Sequence, residues 1–174
     1  KDFDQALTQM TLLERDGARH PMIDALAAQV LQQSGKLEAA RARHEAALSR
    51  YPEHLQLVYD YPRVLLMLKR YAEAASFAED RLRRRPADGT LHQLAAEAEA
   101  GHGQDLKSHY HQGEYYATLG DVKGAVQQFE LAVKSRGGDF QDIQVAEARL
   151  RELREQQRKM KSGRAPVGFT FGNS

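Results

Sequence analysis

Gln112 to Ala132 reads QGEYYATLGDVKGAVQQFELA, and this stretch decides the fold. Within it Gly113, Tyr116, Gly120, Ala125, Phe129 and Ala132 stand at offsets 0, 3, 7, 12, 16 and 19. Each residue type has a mechanical reason for its place. Small residues at Gly113, Ala125 and Ala132 let two helices approach closely, and Tyr116 and Phe129 fill the gap between them. Gly120 supplies the φ > 0 conformation that ends the first helix. The spacing predicts two short antiparallel helices packed face to face. By itself it says little about what is bound.

Working outward, Pro52 and Pro86 are separated by the same interval as Ala40 and Ala74. That interval, about 34 residues, is the period of tetratricopeptide (TPR) repeats, helix pairs that stack into a solenoid. One repeat is predicted over 21–54, with helices Pro21–Ser34 and Leu37–Arg50, a turn at Gly35, and Ala40 and Ala47 at the close contact. The next spans 55–88, with helices near Leu55–Lys69 and Tyr71–Arg84. Ala6 lies one such period before Ala40, so 1–20 reads as the second helix of a repeat whose first helix is missing. The chain is therefore expected to be a fragment of something longer.

Going forward, the register breaks: Ala74 to Ala125 is one and a half periods rather than two. The simplest account of 89–138 is a lost helix. Thr90–Ala100 forms a first helix, and Gln104–Leu119 serves both as its partner and as the first helix of the following pair. A degenerate loop around Gly101, His102 and Gly103 is the alternative. Gly137 and Gly138 break the chain, and Asp139 is placed to cap a helix over 139–161. That helix carries one apolar stripe (Ile143, Ala146, Leu150, Leu153), which suits the capping end of a solenoid. The glycine-rich segment 162–174 has no period and is expected to be a flexible tail. The fold class expected is all-α, a TPR-type helical solenoid of about nine helices with an irregular half-repeat junction and a C-terminal capping helix.

Composition agrees with a helical globular chain: hydrophobic residues are 41%, charged residues 28%, and Ala, Leu, Glu, Gln and Arg dominate. No apolar run reaches bilayer length, so no direct membrane insertion is expected. A formal net charge of +1 gives no general attraction to nucleic acid. With no cysteine, disulfides and thiolate zinc sites are excluded, and neither cytoplasm nor periplasm is favoured.

The most tempting local motif is His44-Glu45-Ala46-Ala47-Leu48. A zincin needs a second histidine where Leu48 stands, and His44 falls on a packing position of the helix pair, so no zinc site is expected. His109 and His111, two apart on a helix, point to different faces and cannot share one ion. Arg81, Arg83, Arg84 and Arg85 close a helix, where cations suit the dipole. The basic run from Arg149 to Arg164 lacks the interleaved aromatics that stacking on nucleic acid needs. Nothing looks catalytic, and no cofactor is expected in this chain.

Binding residues follow from geometry. In a TPR stack the first helices line the concave surface, and their groove-facing positions nominate Gln29, Gln56, Tyr59, Asp60, Arg63, Gln93, Glu97, Tyr110, His111 and Glu114. The set is polar, mixed in charge and includes two tyrosines, as suits a protein- or peptide-binding groove. The half-period offset should close or turn this groove near His109–Tyr116. Pro62 lies inside a groove-lining helix, where it either delays the start to near Tyr61 or kinks the helix and frees the carbonyl of Val58; the kink is the expectation.

From Thr90 onward the chain also resembles a specific family. The features are His109, the Glu114-Tyr115-Tyr116 triplet with Gly120-Asp121, the Gln128–Ala132 helix, Asp139-Phe140, and Ala148-Arg149-Leu150. These are similar to the C-terminal TPR region of periplasmic zinc metalloproteases, the β-barrel assembly-enhancing protease and its relatives in Gram-negative bacteria. The resemblance covers the last half of the chain; the first half matches only as generic TPR. It implies a periplasmic module that contacts the outer-membrane barrel assembly machinery or its substrates and works with its own protease domain upstream, where the zinc would reside. No HExxH occurs in these residues, so no catalytic residue carries over. The alternative is a structural adaptor of an envelope, secretion or pilus assembly with no protease attached.

Overall fold

The computed structural model describes residues 3–15, 20–135 and 138–162. They form α1 (Phe3–Arg15), α2 (Pro21–Gln33), α3 (Leu37–Arg50), α4 (Leu55–Met67), α5 (Tyr71–Leu82), α6 (Gly89–Gly101), α7 (Asp105–Thr118), α8 (Val122–Lys134) and α9 (Phe140–Lys161). Each helix packs on the next. The chain is all-α, a TPR-like solenoid. The expected tail over 162–174 falls, beyond residue 162, outside the described residues.

The period is visible in the turns. Backbone with positive φ recurs at Gly35 (78°), Lys69 (58°) and Gly103 (77°), each one full period after the last, and then at Gly120 (76°) after only half a period. Helix pairs thus close by one turn chemistry at every step, and the register slips by half a repeat after α6. Lys69 is the one non-glycine among the described residues with positive φ. A side chain there is strained, so Lys69→Gly is expected to raise unfolding stability by up to about 1 kcal/mol, read from urea denaturation.

Small residues mark the close approaches. Ala28, Pro62 and Ala96 follow one another at full-period spacing, Gly113 comes half a period later, and all four are buried. Helix α4 runs without interruption through Pro62, so the late start near Tyr61 does not occur. The ring lacks a donor for the Val58 carbonyl, yet it is compact enough for a slot that elsewhere takes alanine or glycine. A Cβ on Gly113 would lie 2.6 Å from Cε2 of Phe129, a contact that makes the α7–α8 approach glycine-dependent. Asp88, Asp121 and Asp139 cap α6, α8 and α9 by accepting from the backbone N–H groups of Leu91, Gly124 and Asp142.

The half-repeat slip changes which helices pack side by side. Before it, α2 lies against α4 and α4 against α6; after it, α7 lies against α9. The close-packed row therefore passes from even-numbered to odd-numbered helices at α6–α7. Helix α7 packs on both α6 and α8, as partner to one and first helix to the other. The apolar core divides there too. One cluster runs from Ala25 to Ala98 around Leu57, Leu65 and Leu91; the other, built on Phe129, runs from Leu106 to Leu153. Between them the α6–α7 seam is partly polar: Ser108 Oγ donates to the carbonyl of Ala96 (3.0 Å), and His92 meets His111.

Candidate functional sites

Among the described residues the predicted groove positions line two depressions, and the slip separates them. The first crosses the even-numbered row. Gln29, Gln32 and Gln33 of α2, His44 of α3, and Gln56, Asp60 and Arg63 of α4 enclose about 230 Å³. Gln32 and Arg63 also line the adjoining space of about 410 Å³, with Leu66, Met67, Gln93, Leu94 and Glu97 as its other walls. Sharing those two walls, the spaces adjoin and together mark a cleft across α2, α4 and α6. Within it Asp60 accepts from Arg63 Nη1 (2.9 Å) and from Gln56 Nε2 (2.5 Å), so its charge is held by its own helix.

His44 forms part of the cleft wall and is 1% exposed. Its ring sits edge-on to Tyr61 at 6.4 Å, and Nδ1 has no hydrogen-bond partner among the described residues. Burial lowers its pKa, with nearby Asp60 opposing, so the imidazole is neutral at neutral pH. It packs, as its repeat position implies. Among the described residues no group of three or more His, Asp or Glu side chains is placed to hold a metal ion.

The second depression, about 430 Å³, lies where the odd-numbered row begins. Its walls are Glu79 and Leu82 of α5, Arg83 just beyond it, Pro86, His92 of α6, Tyr110, His111 and Glu114 of α7, and Arg149 of α9. Arg149 grips Glu114 with two hydrogen bonds, Nε to Oε1 at 2.8 Å and Nη2 to Oε2 at 3.1 Å, tying α9 to α7. Tyr110 stands edge-on to Phe129, 5.4 Å between centroids, and burial, then Glu114, raises its phenol pKa. His111 is buried, and desolvation, helped by His92 and Lys107, drives its pKa down to about 3.

The residues chosen from sequence thus divide between two places. Gln29, Gln56, Asp60, Arg63, Gln93 and Glu97 share the first cleft, and Tyr110, His111 and Glu114 share the second. Tyr59 lines neither; its hydroxyl donates to Oδ2 of Asp88 at 2.8 Å and ties α4 to the cap of α6. Sequence reasoning missed Gln32, Leu66, Met67 and Leu94. Gln32 and Leu66 occupy the last groove-facing position of α2 and α4, so carrying the same count one step further finds both. Leu94 stands one period after Asp60, at a position the same count already includes, whereas Met67 lies off those positions and only the packing of α4 on α6 brings it in. The arginine cluster is internally paired: Arg81, Arg84 and Arg85 converge on Glu53, and Arg83 binds Asp80.

No protein-family model matches the sequence, and no curated protein matches it. Solved structures do. A double mutant of MamA RS-1 superposes with a TM-score of 0.63 at 21% identity, over 89% of this chain and 86% of that one. MamA from residue 41 to its end, from Desulfovibrio magneticus RS-1, gives 0.62 at 20% identity, over 90% and 86%. The thermophilic TPR protein TTC0263 of Thermus thermophilus gives 0.50 at 18% identity, over 85% and 90%. The fold is that of TPR proteins. At these identities the likeness is one of fold.

Proposed function

We propose that this TPR chain is a non-catalytic module that binds a protein partner as an extended peptide in the cleft across α2, α4 and α6. The observation that carries the reading is the run of amides: Gln29, Gln32, Gln33, Gln56 and Gln93 come from three successive helices of one row and line two adjoining depressions that share Gln32 and Arg63 as walls. An amide side chain both donates and accepts, which matches the alternating N–H and C=O groups of an extended backbone. Packed helices are about 8–10 Å apart and an extended chain rises about 3.3 Å per residue, so each helix meets roughly every third peptide residue. Apolar Leu66, Met67 and Leu94 offer one deeper contact for a side chain.

Site-specific photo-crosslinking tests this. A benzophenone residue at Gln56 or Gln93 is expected to capture polypeptide, whereas one at Ser76, exposed on α5, is not. A Gln56→Ala, Gln93→Ala double variant is then expected to weaken the captured peptide's binding by about tenfold or more, from two lost hydrogen bonds of roughly 1 kcal/mol each. Equal capture at Ser76, or unchanged affinity, overturns the reading.

The finer form rests on the resemblance of residues 90–161 to the TPR region of periplasmic zinc metalloproteases. In that form the cleft recruits the outer-membrane barrel assembly machinery or its misassembled substrates, raising their effective concentration at a zinc-bearing protease domain upstream. A gene encoding an HExxH domain before Lys1 supports it. A gene without one leaves the structural-adaptor form, in which the same cleft holds components of an envelope assembly together.

A further inference from the structure

The second depression has a floor whose hydrogen positions follow from its partners. His92 Nε2 lies 2.9 Å from the carbonyl oxygen of Pro86, which can only accept, so His92 carries its hydrogen on Nε2. Nδ1 of His92 is then a lone-pair acceptor. It lies 3.1 Å from Nδ1 of His111, which must therefore be the donor. Both residues are buried, 5% and 7% exposed, and burial disfavours a second hydrogen on His111. His111 is left with a bare lone pair on Nε2, and the residue is one of those lining the cavity.

The charged groups around this acceptor are all engaged. Glu114 is held by Arg149 at 2.8 Å, Glu79 faces Lys107 at 3.8 Å, and Arg83 binds Asp80. A ligand cation finds no unpaired acid here. A carboxylate or phosphate would set its lone pairs against Nε2. The occupant that fits is neutral and carries a donor. The remaining walls, Leu82, Pro86 and the ring of Tyr110, are apolar and enclose far more space than a hydroxyl or amide fills.

We propose that this cavity receives a tryptophan side chain of a partner protein, its indole N–H donating to Nε2 of His111 and its rings lying against Leu82, Pro86 and Tyr110. Indole is donor-only, so one hydrogen bond satisfies it and the histidine together; a phenol oxygen needs a donor as well, and a phenyl ring leaves Nε2 unpaired. The site is independent of the amide-lined cleft and stands or falls without it.

The probe is N-acetyl-tryptophanamide, titrated into the intact chain, whose 174 residues contain no tryptophan and so leave the indole fluorescence free of background. Its 1-methylindole analogue and N-acetyl-phenylalaninamide serve as comparisons. Binding of the indole is expected to be about tenfold tighter than of either comparison, with side-chain ¹⁵N shifts showing His111 hydrogenated at Nδ1 before ligand is added. In His111→Phe, which keeps a ring and removes the acceptor, the preference for indole over 1-methylindole should vanish. Three equal affinities, no binding of any probe at millimolar concentration, or an Nε2–H tautomer at His111 overturns the proposal. The ligand series on the unaltered protein decides the matter even if the variant does not fold.

Discussion

Replacing Phe129 by alanine is expected to cost the fold about 3–5 kcal/mol. The ring is fully buried at the centre of the second apolar cluster, edge-on to Tyr110 at 85°, and it fills the gap left by Gly113. Its removal opens a cavity beside Gly113, which has no side chain to fill it. Because a solenoid is held by neighbour contacts, the loss should concentrate in α7–α9. Amide hydrogen exchange is then expected to rise there and to change little in α2–α4; uniform exposure would contradict the division of the core at α6–α7. Gly113→Ala approaches the same contact from the other side. Overpacking against an immovable ring costs about 1–3 kcal/mol, more than the roughly 1 kcal/mol that alanine returns in helix propensity. Net destabilisation in urea is the expected reading.

Acidification from pH 7 to pH 5 is expected to remove about 2 kcal/mol of stability through His111 alone, at about 1.36 kcal/mol per pH unit below the unfolded value of about 6.5. In the folded chain this imidazole stays neutral down to about pH 3. Between those limits the unfolded state binds a proton that the folded state refuses, so stability is intact above about pH 6.5 and is lost steadily as pH falls. Burial lowers His44 as well, and it adds to the same slope. Glu99 works against them at the acid end, because burial and Glu79 raise its carboxyl and the folded state there takes up the proton first. The measurement is therefore a difference. Urea unfolding at pH 7 and pH 5 should show His111→Phe with a shallower pH slope than the unaltered chain. Identical slopes would remove His111 as the cause.

Most of the helices were legible in the sequence, for a local reason. Glycine or alanine at a helix contact, a left-handed turn, and the one-period spacing of Pro52 to Pro86 are read from residues close in the chain. The same is true of Asp139, which caps α9 from just before its first turn. Pro62 shows where that reading thins. Propensity marks it as a helix breaker, yet α4 runs through it, and its ring fills the buried slot that Ala28 and Ala96 occupy one period away on either side.

The Gln112–Ala132 stretch by itself determined a helix pair, its close contact and the turn between its helices. It also carried, in its arrival half a period early, the fact of an irregular junction. What the junction does was decided only by tertiary structure. Whether Tyr110, His111 and Glu114 continue the row of Gln29, Gln56 and Gln93 depends on how α7 is rotated against α6. That rotation depends on which faces of α6, α8 and α9 it must bury at once. Packing sends the close contacts from the even-numbered helices to the odd-numbered ones, so one expected groove becomes two separate sites. The pairing of His92 with His111, 19 residues apart, follows from the same rotation. A sequence period records which residues face inward along a helix, and the partner each one meets across the seam is set by the fit of the neighbouring surfaces.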